Sequence, residues 1–175
     1  IVHAPDESIF VAGCESVLID GYTAREVRVD GIDPVCCRDV TIANSEIKSL
    51  DDAIAIKSSY ILGHRKSCEG VLVENCLLST FINALKIGTE SVGDFRDIVL
   101  RDCTIQNLPG FPSFAGLSMM SVDGGRLDGI VYSNIAMKNV GCPIFIRLGD
   151  RLRTPENPPI GQVGDILISN ITATE

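Results

Sequence analysis

With 175 residues, 45% of them hydrophobic, the chain is long enough for one domain with a real core and too apolar to be disordered. Its net charge of −8 is the wrong sign for nucleic-acid binding, which needs a basic face to neutralise phosphates. Aromatic residues make up 5% and Trp is absent, a composition that disfavours stacking platforms for bases or neutral sugars.

Read from its start, the chain opens abruptly at Ile1-Val2-His3 and is expected to be an internal piece of a larger protein, without its terminal caps. A short pattern then recurs: apolar, any, apolar, any, then Asn or Asp, with a first, degenerate copy that ends in Gly21. It reads Val17-Leu18-Ile19-Asp20-Gly21, Val40-Thr41-Ile42-Ala43-Asn44 and Val71-Leu72-Val73-Glu74-Asn75. It returns as Ile98-Val99-Leu100-Arg101-Asp102, Ile130-Val131-Tyr132-Ser133-Asn134 and Ile166-Leu167-Ile168-Ser169-Asn170. The fifth residues are spaced by 23, 31, 27, 32 and 36. Repeats of that size mean a solenoid, and the period of two within each copy means strands. Variable spacing around a constant strand predicts coils of one minimum size with loops of different length.

The recurring Asn is expected to form a ladder that satisfies turn backbone groups between stacked coils. On that account Asn170, which also begins the glycosylation sequon Asn170-Ile171-Thr172, is expected to be buried and unmodified. Cys76 and Cys103 each follow an anchor residue and are expected to stack on adjacent coils as ladder packing rather than a disulfide. The seven cysteines include no Cys-x-x-Cys and the chain has only two histidines, so no zinc site is expected. No apolar run approaches the length of a membrane span.

A second strand shares a register downstream of the anchors. It reads Ile54-Ala55-Ile56, Leu85-Lys86-Ile87, Leu117-Ser118-Met119 and Ile144-Phe145-Ile146. Residues in one column are spatial neighbours across coils about 4.8 Å apart. The longest irregular stretch, Gly149 to Val163, reads as a surface loop.

Two adjacent carboxylates, Asp51 and Asp52, sit at the mouth of the buried strand Ile54-Ala55-Ile56. Asp30 and Asp33 fall about one coil earlier, so these carboxylates are expected to stack on one face. Like charges that close raise at least one pKa, which lets one carboxyl act as an acid while its neighbour acts as a base. Glycoside hydrolysis needs such a pair. On the residues alone, turn-forming aspartates or a Ca²⁺ site remain open alternatives.

At these residues the sequence resembles glycoside hydrolase family 28, the polygalacturonases and rhamnogalacturonan hydrolases. The resemblance covers nearly the whole chain and is strongest from Val29-Asp30-Gly31-Ile32-Asp33-Pro34 through Asp51-Asp52-Ala53-Ile54-Ala55-Ile56-Lys57-Ser58. It implies an all-β, single-stranded right-handed parallel β-helix over residues 1–175 that hydrolyses pectin backbones with inversion. It implies that Asp52 is the general acid and that Asp30 and Asp51 position and deprotonate the water. The family's Asn-Thr-Asp motif reads Arg28-Val29-Asp30 here. Asn83 stands where its Gly-His-Gly motif carries His, and His64 lies in an earlier loop. Ser118 and Met120 replace the Arg and Lys of the motif that grips the substrate carboxylate.

Candidate substrate-binding residues are therefore Asn83, Lys57, Lys86, Glu90 and Arg147, the last falling one coil beyond Met120 in the same column. Glu90 sits where some bacterial members of the family also have Glu. The expected partner is a polysaccharide substrate, with no nucleic acid, membrane, cofactor or metal, and the protein is expected to be a monomer, secreted or periplasmic on account of its substrate class. Two other functions fit the same residues: a calcium-dependent polysaccharide lyase, and a non-catalytic glycan-binding β-helix.

Overall fold

The structure is a computed structural model that describes residues 3–107, 109–151, 158 and 160–175. It is a right-handed parallel β-helix, and every strand pairing among the described residues is parallel. The first sheet stacks β1 (Ile9–Ala12), β4 (Ile32–Val35), β7 (Ile54–Ser58), β10 (Asn83–Ser91), β13 (Ser113–Ser121) and β15 (Val140–Leu148) in that order. The second stacks β2 (Glu15–Asp20), β5 (Arg38–Ala43), β8 (Cys68–Glu74), β11 (Phe95–Arg101) and the first part of β14 (Arg126–Lys138). The third stacks β3 (Thr23–Val27), β6 (Glu46–Ser49), β9 (Leu77–Ser79), β12 (Thr104–Gln106) and the last part of β14. Two further strands, β16 (Gln162–Val163) and β17 (Ile166–Thr174), pair with β14.

Alternation explains why these segments fold as they do. Each strand turns one row inward, and the rows meet in a single core. Ile54, Ile56, Leu85, Ile87, Leu117 and Met119 come from the first sheet, Val40, Ile42, Val71, Val73, Ile98, Leu100, Ile130 and Tyr132 from the second, and Ile47, Leu78, Ile105 and Met137 from the third. Each buried side chain of this size contributes roughly 1.5–3 kcal/mol. The columns read from the sequence are the observed register: Ile54, Leu85, Leu117 and Ile144 pair in succession, as do Ile56, Ile87, Met119 and Ile146.

The anchor residues mark the bend from the second sheet to the third, and their backbone explains their identity. Gly21, Asn44, Asn75, Asp102, Asn134 and Asn170 have φ of 64°, 52°, 54°, 54°, 55° and 51°. That left-handed region is open to Gly and tolerated by Asn and Asp. The side chains also link from coil to coil, but to one another rather than to the turn backbone groups expected: Asn44 Nδ2 donates to Asp20 Oδ1 at 2.7 Å, Asn134 Nδ2 to Asp102 Oδ1 at 2.9 Å and Asn170 Nδ2 to Asn134 Oδ1 at 2.8 Å. It lies in solvent, however. Asn170 is exposed, contrary to the expectation that it is buried, because the bend turns these side chains outward and it is the φ angle, not burial, that selects Asn.

A second left-handed column, Ser16, Asp39, Gly70, Asp97, Gly129 and Asp165, opens the strands of the second sheet. All seven cysteines are free thiols, and Cys76 and Cys103 touch across adjacent coils as ladder packing. The irregular stretch after Gly149 is shorter than its sequence suggests: Arg151 is half-buried, Gln162–Val163 pair with β14, and residues 152–157 and 159 lie outside the described residues.

Candidate active site

The corner leading into the first sheet carries the carboxylates. Asp30 immediately precedes Gly31 and β4, Asp51 and Asp52 precede β7, and Asn83 opens β10. The corner is tightly laced. Gly31 N–H donates to Asp52 O at 2.8 Å, Ala53 N–H to Asn83 O at 2.9 Å, and Ser49 Oγ to the carbonyls of Asp51 and Asp52 at 3.1 and 3.0 Å. The Thr80 hydroxyl also donates to Asp51 O. A Cβ at Gly31 would stand 2.4 Å from Ala53 O and 2.3 Å from Ile47 Cγ2, so only glycine permits this approach.

The result is a cluster in which one oxygen each of Asp30, Asp51 and Asp52 lies within 4.8 Å of the others. Asp52 is 1% exposed and Asp30 5%, whereas Asp51 reaches solvent. Asp52 Oδ1 accepts Asn83 N–H at 3.1 Å and Asn83 Nδ2 at 2.6 Å, and its Oδ2 accepts Lys86 Nζ at 2.5 Å. Asp30 Oδ1 accepts the N–H of Asp52 at 2.9 Å. Asp30 Oδ2 shares the Lys57 ammonium with Asp33 Oδ2, both at 2.5 Å.

Burial decides the protonation pattern. Asp52 is pushed above the usual carboxylate range by burial, with the charge of Asp30 adding, while Lys86 and Asn83 pull the other way. Asp33, fully buried, is pushed up to about 8 by burial against the pull of Lys57. Lys57 loses by burial but is carried above its usual value by Asp33 and Asp30 together. One ammonium between two carboxyls balances one negative charge, and burial pushes the Asp33 carboxyl toward its protonated form.

The structure thus brings Asp30, Asp51, Asp52, Asn83, Lys57 and Lys86 together. Lys57 and Lys86 are bound to the carboxylates as buried ion pairs, with side chains 13% and 11% exposed, rather than lying on a solvated surface. Glu90 and Arg147 stand apart from the cluster. Glu90 lies toward the far end of β10, 4.0 Å from Arg151 Nη1. Arg147 is exposed on β15, opposite Met120. His64 is exposed and its Nδ1 lies 3.1 Å from Leu62 O.

Two features had no sequence signal. Buried Asp123 is gripped by Arg151, whose Nε donates at 3.0 Å and whose Nη2 also donates, while Ser91 N–H donates at 3.1 Å. Arg151 also reaches Thr89 Oγ1 and Thr89 O at 2.9 and 3.0 Å. The second feature is aromatic. Phe10, Phe81, Phe111 and Phe114 are 45%, 43%, 58% and 53% exposed; Phe81 packs edge-on against Phe111, and Phe114 against Phe145.

Comparison with known proteins agrees with this picture. The model of the family described as "Glycosyl hydrolases family 28" matches residues 1–175. An endo-polygalacturonase of Pectobacterium carotovorum subsp. carotovorum is 29% identical over 165 residues, covering 88% of this chain and 38% of that protein. A polygalacturonase of Ralstonia nicotianae (strain ATCC BAA-1114 / GMI1000) is 30% identical over 132 residues, 70% of this chain and 22% of the relative. Among solved structures, the polygalacturonase from Erwinia carotovora ssp. carotovora superposes with a TM-score of 0.74 at 20% identity, covering 99% of this chain and 52% of that one. The chain therefore spans well under half the length of the curated relatives it matches.

Proposed function

The chain belongs to glycosyl hydrolases family 28, and from that premise we propose that it carries the catalytic centre of a glycosidase acting on a pectic polysaccharide, with Asp52 as general acid and inversion at the anomeric carbon. The observation that carries this reading is the three-carboxylate cluster, in which a buried Asp52 is pushed toward its protonated form beside two further carboxylates. Asp52 gives its proton to the glycosidic oxygen as the bond from that oxygen to the anomeric carbon breaks. A water held by Asp30 and Asp51 forms the new bond to that carbon, and one of the two takes the water's proton. Lys86 then stabilises the Asp52 carboxylate left behind, and Lys57 with the Asp52 N–H holds Asp30 in place as an acceptor. Asn83 keeps Asp52 oriented through two donors.

The cluster is tighter than the ~6.5–9.5 Å between carboxyl groups usual in two-carboxylate inverting sites. That favours a second reading, retention through a covalent intermediate, and the anomer first formed distinguishes the two. The polymer substrate lies outside the cell, so export to the periplasm or beyond goes with this function, as does action as a monomer. A calcium-dependent lyase is disfavoured because a cation at the cluster would compete with Lys57 and Lys86 for Asp30 and Asp52.

The test is reducing-sugar release by the protein at its full natural length from polygalacturonate, rhamnogalacturonan and methylated pectin, with and without chelator. Release that survives chelator and disappears in Asp52→Asn is expected. Release that chelator abolishes overturns the hydrolase, and binding without any release leaves a glycan-binding β-helix.

A further inference from the structure

The residue after each bend anchor belongs to a column of its own. It runs Ser45, Cys76, Cys103, Ile135: Leu77 N–H donates to Ser45 O at 2.9 Å, Thr104 N–H to Cys76 O at 2.9 Å and Ala136 N–H to Cys103 O at 3.2 Å. Leu77 pairs with Thr104, so Cys76 and Cys103 stand directly opposite each other on neighbouring parallel coils. Both belong to the core, each 2% exposed, and their thiols meet. Ser45 and Ile135 flank them in the column, so each thiol has one cysteine beside it there, the other member of the pair. The corner between the first and second sheets differs. Cys14, Cys37 and Cys68 follow one another there, next to the paired Glu15, Arg38 and Glu69, and Cys37 has a cysteine on each side. Its thiol is turned to the carbonyls of Val11 and Val35, both at 3.3 Å. Cys103 also lines a shallow surface depression with Asp102, Thr104 and Asn134, so the pair lies just beneath the surface.

We propose that Cys76 and Cys103 are an oxidative modification site, a reversible disulfide that ties the coil of β9 and β10 to the coil of β12 and β13. This goes beyond the glycosidase reading and shares with it only the export of the chain. The coils repeat at about 4.8 Å, inside the roughly 4.4–6.8 Å between Cα atoms that a disulfide spans. The bond forms by exchange. The thiolate of one cysteine attacks the disulfide of oxidised glutathione or of a thiol–disulfide oxidoreductase, and the thiolate of the other displaces that reagent from the mixed disulfide. The pair gives up two protons and two electrons as its S–S bond forms, and the reagent's disulfide is reduced to two thiols. Between directly opposed parallel residues the Cβ atoms repeat at the same step of about 4.8 Å, beyond the roughly 3.5–4.5 Å usual across a disulfide. The bond is therefore strained and yields readily to reductant, so it is carried in an oxidising compartment and lost in a reducing one. The segment it closes, 77–102, contains Asn83 and Lys86, the two side chains that hold Asp52.

The experiment refolds the full-length protein from urea in a buffer of oxidised and reduced glutathione, alkylates the thiols that remain and maps the peptides by mass. A cross-link joining Cys76 to Cys103 is expected, two hydrogens lighter than the two free peptides. The thermal midpoint should lie about 5 °C above that of the reduced protein, because the bond restricts the unfolded chain. Excess reduced glutathione should open the bond and return the midpoint. Cys76→Ala and Cys103→Ala should each abolish both the cross-link and the shift. Cys76 and Cys103 recovered as alkylated thiols, or either joined to another cysteine or to glutathione, overturns the site. A cross-link that excess reduced glutathione leaves intact overturns its reversibility. None of these readouts involves turnover, so failure of the glycosidase reading leaves the disulfide standing and failure of the disulfide leaves the glycosidase.

Discussion

Asp52 and Asp123 are both buried, 1% and 3% exposed, and each meets a cation and a backbone N–H. Asp123 faces one guanidinium that holds both of its oxygens, with Glu90 only at the far edge of the same group. Asp52 faces one ammonium, but Asp30 and Asp51 lie within 4.8 Å of it, and Asp30 shares its own ammonium with Asp33. Four carboxyls therefore draw on two ammonium groups around Asp52, whereas Asp123 has a whole guanidinium. Both carboxyls are buried beside a cation; what differs is that Asp52 has Asp30 and Asp51 close by, and the charge of Asp30 adds to the upward push of burial on Asp52.

The comparison is broken most sharply by removing each acid in turn. Asp52→Asn is expected to lower kcat by about 10²–10⁴-fold, the contribution of a positioned general acid. Asp123→Asn is expected to leave kcat within a few-fold and to lower the thermal midpoint instead. The next largest effect is on stability. Arg151→Met leaves Asp123 buried without its partner, which costs about 3–5 kcal/mol, read from urea unfolding.

The third effect is on pH dependence. Only the protonated form of Asp52 can donate, so kcat/KM falls as pH rises through its raised pKa. Lys86 pulls that pKa down, so Lys86→Gln should move the alkaline limb to higher pH. No movement, or movement downward, would contradict Asp52 as the acid.

Asp33 offers a fourth test through stability. Its folded value is about 8 against 3.8 ordinarily, so its contribution is fully present below about pH 4 and lost as pH rises to 8. Urea midpoints should decline across that window, and Asp33→Asn should flatten the decline. The smallest effect concerns the bend: Asn75→Ala, at φ 54°, should cost about 1–2 kcal/mol, and Asn75→Gly almost nothing.

The sequence made the first two sheets legible because their strands carry two inward residues at period two, as in Val71 and Val73 or Leu85 and Ile87. The third sheet escaped notice because β9 and β12 are three residues long and turn a single residue inward, Leu78 and Ile105. The carboxylate cluster was legible because Asp30 and Asp51 are separated by nearly one coil. Which cation neutralises which carboxylate was not, since that depends on reach across coils: Lys57 turns back to Asp30 and Asp33, and Lys86 to Asp52. Asp123 and Arg151 meet across an irregular stretch with no period to reveal them. Asn was rightly read as linking coil to coil, but wrongly as buried and bonded to the turn backbone, because sequence shows the residue and not the φ angle that selects it.

The most direct measurement is kcat on polygalacturonate for Asp52→Asn and Asp123→Asn side by side, each confirmed folded by circular dichroism at the assay temperature. The account predicts that turnover collapses in the first and survives in the second. Turnover retained in folded Asp52→Asn, or lost equally in both, would contradict it.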